Sequence, residues 1–396
     1  TLNGQAVYGA DVIARIGYAM SHANGLADLR DKSVQTINTL IDIILDRTGV
    51  KPQNIYEVMV AGNTTMQHLF LGVSPAAIAH TPFVPVFADA GKATAGQLGL
   101  HVHPRAGVCT FPVIGGYVGG DIVAGILATG LDRDRRIRLL IDIGTNGEIV
   151  LGSNRRVVAC STAAGPTFEG AQMVCGMRAA PGAIEGVTIT RSEVRYQVIE
   201  KEKPVGICGS GLIDAVAQLY LVGLLDENGR LLDGAEALHY VEPSVAERVI
   251  QHNGQRAFVL ATAEETGAAP IILTQRDIRE LQYAKGAMAS GIRILQRELG
   301  VEDDQIEQVM LAGSFGSYIN PASARTIGLV PQIPLERIIA VGNTAGEGAK
   351  MAMLSFRERE AARVIPTQVE YLELSAMSTF TDDFVDALPF PPKTFD

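Results

Sequence analysis

Apolar positions along this 396-residue chain fall into two alternating rhythms, one at helical spacing and one of short continuous runs. That alternation predicts an α/β architecture. Helical spacing marks 9–22 and 33–47, with Ser33 as the expected N-cap and Gly49 as the expected stop. A buried strand is expected over 56–61, broken by Gly62, and a helical pattern resumes near Thr64. A loop rich in Pro, Gly and His covers 73–107, before a strand at 108–114 and a helix at 120–129. The basic cluster at 132–136 reads as a solvated junction and a domain boundary. Beyond it, apolar runs at 138–143 and 148–151 flank Gly144-Thr145-Asn146-Gly147, a strong hairpin signal. Gly-rich strands and turns follow over 155–200, then a helix at 210–222 and a mostly polar region at 226–275 with a strand at 257–261. A long helix is expected from 274 to 299, with Asp277 in its first turn and Gly300 after it. Short strands at 309–312 and 338–341 complete the pattern.

Two pairs of these segments match each other. IYEVMVAG at 55–62 aligns without gaps to IEQVMLAG at 306–313. Downstream of each lies a strand ending in G-x-x-x-G before a helix, VIGGYVG at 113–119 and AVGNTAG at 340–346. Two matches in one order predict a duplicated domain. The expected division is 1–136, then 137–355, then a C-terminal extension, 356–396, packing back on the domain. The second copy opens on the hairpin LLIDIGTNGEIVLG, and the first copy has no counterpart to it. The expectation is therefore an incomplete first subdomain that lacks its three opening strands and anything upstream of them.

Composition narrows the function classes. A net charge of −10 with no basic block argues against nucleic acid as a main partner. Every apolar run is interrupted before the ~18–20 residues of a membrane span, so no membrane role is expected. Cys109, Cys160, Cys175 and Cys208 lack zinc-ligand spacing and read as thiols of a reducing, cytoplasmic compartment. The 42 glycines exceed the ~7% average by roughly half, which points to tight turns and backbone brought close to a ligand.

Several of those glycines sit where phosphate chemistry is plausible. In Asp142-Ile-Gly144-Thr145-Asn146-Gly147 the glycines let phosphate oxygens reach backbone N–H groups, and Thr145 and Asn146 add donors. Asp142 suits a Mg²⁺ held through water, or the orientation of an attacking water. A plain Asn-Gly hairpin explains the same residues. Gly313-Ser314-Phe315-Gly316 and the corner from Gly165 to Glu169 end further strands of the same half, suggesting a nucleotide cleft flanked by two lobes. No P-loop and no G-x-S-x-G elbow occurs.

These residues carry a family resemblance. DIGTNGE, AGSFGSYINP and VGNTAGEGA resemble the second phosphate loop, the adenosine loop and the second connection of the acetate/sugar kinase–Hsp70–actin superfamily, and PVIGGYVGGD resembles its first connection. The resemblance implies duplicated ribonuclease-H-like, actin-like ATPase subdomains. More narrowly, VAGNTTMQHLFLG, TAAGPTFEGAQ, ICGSGLIDA and LTQRDIRELQYAKGA resemble the ATPase domain of the reductive activators of corrinoid proteins. That family implies ATP and Mg²⁺ as cofactors and an N-terminal [2Fe–2S] domain, absent here. It implies a corrinoid protein as partner, either a methyltransferase corrinoid subunit or a corrinoid iron–sulfur protein, and a possible homodimer. The implied activity couples ATP to reduction of cob(II)amide to cob(I)amide. By the same resemblance Gly313, Ser314, Phe315 and Gly316 would face adenosine, with Gly165 and Glu169 nearby. Gly342 and Asn343 belong to the second connection, and Gln282 and Lys285 would contact adenine or ribose, unless they simply lie on a solvated helix face. The alternatives are a small-molecule kinase of the same superfamily, with Asp121 as its candidate base, and a non-catalytic docking module.

Overall fold

The computed structural model describes residues 3–9, 11–316 and 318–393. In chain order the first third forms α1 (Val12–Ser21), α2 (Gly25–Thr48), β1 (Glu57–Val60), α3 (Thr64–Leu71), β2 (Lys92–Thr94), β3 (Gly107–Thr110) and α4 (Gly120–Thr129). The middle adds β4 (Arg138–Ile143), β5 (Gly147–Ser153), β6 (Arg156–Thr162), β7 (Ala183–Ile189), β8 (Val194–Val198), β9 (Gly206–Ile207) and α5 (Gly209–Leu221). Then come β10 (Val249–His252), β11 (Gln255–Ala261), β12 (Ile271–Thr274), α6 (Gln275–Leu299), β13 (Gln308–Ala312), α7 (Pro321–Ile327) and β14 (Ile338–Gly342). The chain closes on α8 (Thr344–Leu354), α9 (Phe356–Gln368), β15 (Val369–Tyr371) and α10 (Phe380–Asp386).

The α/β pattern read from the sequence is the architecture observed. Most element ends agree within two residues, because caps and turn glycines mark them. Asn63 accepts from Met66 N to start α3, and Gly49 ends α2 in the left-handed region at φ +68°. The start of α2 is the main difference. Ser33 does not cap it but lies buried inside it, its hydroxyl donating to Arg30 O at 2.8 Å. The segment 25–32 carries too many charges to register as a periodic helix, yet Leu29 is fully buried by tertiary packing. The expected loop at 73–107 also contains β2 and a helical turn, Ala95–Leu98, closed by a Thr94–Gln97 capping box.

Two compact units emerge. The first comprises Thr1–Arg135, Gly152–Cys160 and Asn343–Leu372. Here β1 and β3 pair in parallel and β2 joins β3 antiparallel. Val34, Phe70, Leu98 and Val108 centre its core, with Ile37 and Ile41 of α2 packed against them. β15 lies parallel to β6, and α8 packs on α4. The second unit comprises Arg136–Leu151, Ser161–Gly342 and Glu373–Asp396. In it β14, β13, β4 and β5 are successive neighbours, with β13 parallel to both β14 and β4. α5 covers β7, and α10 lies on α6.

The internal repeat survives in three dimensions: β1 beside β3, and β13 beside β14, are the matched parallel pairs. Of the expected boundaries, the one at 136/137 lies within one residue of the break between Arg135 and Arg136, whereas the one at 355/356 marks no break. The segment 343–355, assigned to a 137–355 subdomain, belongs to the first unit, as do α9 and β15 from the expected extension. The cause is local. Gly348 of α8 sits so close to the Ala124 carbonyl that any Cβ would collide with it, so α8 nests on α4 at a distance only glycine allows. Arg359 of α9 then grips Glu57 of β1 with two bonds of 2.6 and 2.9 Å.

Gly348→Val should therefore cost about 1–3 kcal/mol in urea denaturation through overpacking. Gly17→Ala, where nothing lies within 4 Å of the new methyl group, should instead add about 0.5–1 kcal/mol. Equal effects of the two substitutions would contradict the close α8–α4 approach.

Candidate nucleotide site

The site grows from the parallel pairing of β4 and β13. Their register sets Asp142 opposite Ala312, so the residue after β13, Gly313, meets the Asp142 carboxylate. Gly313 adopts φ +89°, and a Cβ there would stand 2.5 Å from Asp142 Oδ1 and 2.7 Å from Ile143 O. Only glycine permits that approach. Burial lifts the Asp142 pKa to about 6. Among the described residues no donor reaches its carboxylate, and a poorly solvated acid at a strand end is thereby held ready for a cation or water.

The hairpin tip after Asp142 is closed by Gly144 N donating to Asn146 O at 3.0 Å. Thr145 donates its hydroxyl to Glu169 in a short bond. Glu169 is delivered by the turn Pro166–Glu169, which fully buried Phe168 anchors. The turn starts at Gly165, φ +74° with open space around its Cα. Asp142, Thr145, Glu169, Gly165 and Gly313 thus share one neighbourhood in the second unit. Gly316 lies tight against Leu311 and closes the turn after β13, while the side chains of Ser314 and Phe315 lie outside the described residues.

Four residues singled out from sequence are engaged otherwise. Gly147 is a packing glycine, since a Cβ would stand 2.9 Å from Thr162 Oγ1 and 3.1 Å from Met288. Asn343 accepts from Gly346 N at 2.8 Å and so caps α8, just after Gly342 at φ +73°. Gln282 and Lys285 are neither solvated nor open to a nucleotide. Each is 1% exposed and clamps the C-terminal segment. Gln282 Nε2 donates to Leu388 O at 3.1 Å, and Lys285 Nζ donates to Ala387 O at 2.6 Å and Pro389 O at 2.5 Å. Their i, i+3 spacing registered in the sequence, but the partner, an apolar Pro-rich run about 100 residues on, did not. The kinase alternative's Asp121 turns its carboxylate back on Ile122 N at 2.9 Å, at the first turn of α4.

The residues fit a magnesium nucleotide in donor chemistry: a carboxylate with no donor among the described residues, a turn of backbone N–H groups and a glycine wall. They do not fit an iron–sulfur cluster. The four cysteines are free thiols on separate elements, and no group of three His, Cys, Asp or Glu suited to a metal occurs among the described residues. No helix among them is long and apolar enough to cross a membrane.

Known proteins place this arrangement. Residues 136–396 match the model of the C-terminal domain of RACo, the ASKHA domain, and residues 1–134 match the RACo middle region. These matches reach both ends of the chain and give no support to the expectation of a first subdomain stripped of its opening strands. The corrinoid activation enzyme RamQ of Eubacterium limosum is 36% identical over 97% of this chain and 64% of its own length. The [Co(II) methylated amine-specific corrinoid protein] reductase of Methanosarcina barkeri is 25% identical over 72% of this chain and 53% of its own. A solved reductive activator for corrinoid, iron–sulfur protein superposes with a TM-score of 0.89 at 39% identity, over 99% of this chain and 61% of that one. The chain thus spans less than two thirds of the length of these relatives.

Two pH dependences follow from the buried ionisable groups. Asp142 is neutral in both folded and unfolded chains below its ordinary value of 3.8, and its burial penalty is complete only above about pH 6. Asp142→Asn should therefore stabilise by about 2–3 kcal/mol at pH 7–8, with the gain vanishing near pH 4. For Lys285, burial and then nearby Arg293 lower the pKa from 10.5 to about 7. The penalty for its ammonium is full below pH 7 and relieved as pH rises toward 10.5. The Tm of the native protein relative to Lys285→Met should accordingly climb from pH 7 to 10, and a flat difference would contradict a buried amine.

Proposed function

This chain belongs to the RACo family, and from that membership we propose that it forms the ATP-handling part of a corrinoid activator. In the complete protein, ATP turnover would drive reduction of a cob(II)amide to cob(I)amide in a partner corrinoid protein. The observation that carries the nucleotide part is the Asp142 carboxylate, held against Gly313, lifted to about pKa 6 and without a donor among the described residues. Gly144, Thr145 and Asn146 would offer N–H and hydroxyl groups to phosphate oxygens, as turn backbones do. Asp142 would hold Mg²⁺ through water, and the bound metal would neutralise phosphate charge. Above pH 6 Asp142 carries the negative charge this needs. Glu169, tied to Thr145, would fix the tip and orient water. The loop from Gly313 to Gly316, with Ser314 and Phe315, would take the adenosine, beside the corner at Gly165.

The electron would come from a group outside this chain's own donor set, since its thiols are dispersed. The partner would be a methyltransferase corrinoid subunit or a corrinoid iron–sulfur protein. A cytoplasmic setting would agree with four cysteines that form no disulfide.

Calorimetric titration of ATP with Mg²⁺ into the chain tests this. Binding should weaken about tenfold or more in Thr145→Val or Glu169→Gln, as loss of a charge-assisted hydrogen bond implies. Asp142→Asn should abolish its magnesium dependence. No heat at millimolar nucleotide would overturn the reading, and phosphoryl transfer to a sugar or carboxylic acid would replace it with a kinase.

A further inference from the structure

A cavity of about 270 Å³ opens in the first unit beneath β3 and against α9. Its walls are mainly apolar, including Met59, Phe111, Pro112 and Phe356. Lys92, Cys109, Arg359, Glu360 and Arg363 bring polar atoms to it. The antiparallel register of β2 and β3 sets Lys92 directly opposite Cys109, on one face of the sheet. Arg359 is neutralised by its two bonds to Glu57. Lys92 has no partner among the described residues, and Arg363 has only an exposed pairing with Glu360 at 3.4 Å, of a kind worth little. The lining therefore carries Lys92, Arg359 and Arg363 against the carboxylates of Glu360 and Glu57, a small positive excess centred on Lys92.

The helices that supply this wall also expose apolar side chains. Leu354 and Phe356, at the α8–α9 joint, are 83% and 76% exposed, the two most exposed large apolar side chains among the described residues. Val364 of α9 is 48% exposed. Phe356 itself lines the cavity, so its bare ring gives the cavity an exposed apolar edge of the kind found at interaction sites. The cavity falls just below the ~300 Å³ at which pockets for whole small-molecule ligands begin. It has room for one large anchoring side chain, the unit from which protein interfaces draw most of their affinity.

We propose that this face docks a protein partner that inserts one large apolar side chain into the cavity and sets carboxylates against Lys92 and Arg363. Leu354 and Phe356 cover the partner's apolar surface around the anchor. The charges select acidic partners and speed their encounter. This surface lies wholly in the first unit and does not depend on the nucleotide reading.

Cys109 reports directly on occupancy. In a Cys175→Ser chain, with Cys160 and Cys208 buried, a thiol reagent should modify Cys109 at a rate that the peptide Ac-Glu-Asp-Phe-Asp-Glu-amide slows. At twice its Kd the slowing is about threefold. Peptides with the central Phe changed to Ala, or with Lys in place of the acids, should not protect. Lys92→Glu and Arg363→Glu change surface residues and should leave folding by circular dichroism intact, while abolishing the protection. Absence of protection by the acidic peptide, or equal protection by the basic one, would overturn the proposal. Equal protection by octanoate would also overturn it, in favour of a small-molecule pocket.

Discussion

The contact on which the candidate site depends is the approach of the Gly313 backbone to the Asp142 carboxylate. It exists because β4 and β13 run parallel in a fixed register, so two segments 170 residues apart end at the same level. Parallel ladders place all their strand ends on one edge, and loops gathered there can share a ligand. Slipping β13 by one residue would turn its side chains to the opposite faces and carry Gly313 away from the acid. The unmet charge of Asp142 is thus a product of sheet register as much as of residue identity.

Much of this was legible in the chain. Local signals located the elements. The Asp-Ile-Gly-Thr-Asn-Gly turn, the Ala-Gly corners and the helix stops Gly49 and Gly300 each act within a few residues of themselves. The matched octapeptides at 55–62 and 306–313 likewise exposed the repeat, because a duplicated strand keeps its apolar pattern. Buried Asp277 illustrates how far such logic reaches. The sequence placed it in the first turn of α6, and its carboxylate completes a capping box with Thr274. It also accepts from Val174 N at 3.1 Å, a contact no periodicity encodes.

What escaped the sequence has one physical character: it concerns which distant surfaces meet. Gly348 lies in the stretch that resembles a second connection, yet its missing side chain is what admits α4. Gly147 read as a ligand-facing glycine, yet it makes room for Thr162 and Met288. Glycine serves close approach to a ligand and close approach to another element equally well, so composition alone leaves the two uses indistinguishable. Lys285 carries the same lesson for charge. A lysine on a helix ordinarily signals solvent, and here three carbonyls around Gln282 and Lys285 define an interior instead.

That clamp has a practical consequence. Ala387 and Phe390 are buried as core residues are, although they lie in the last described stretch. Phe390 packs tilted against Tyr220 with ring centroids 5.1 Å apart, and Tyr220 donates its hydroxyl to Pro391 O at 2.8 Å. Clipping the chain after α10 would strip a nearly inaccessible amine of its acceptors, much as deleting the centre of a hydrophobic cluster would. A fusion partner or affinity handle is therefore best attached beyond this clamped stretch through a flexible spacer, and trimming this end is an internal mutation in all but name.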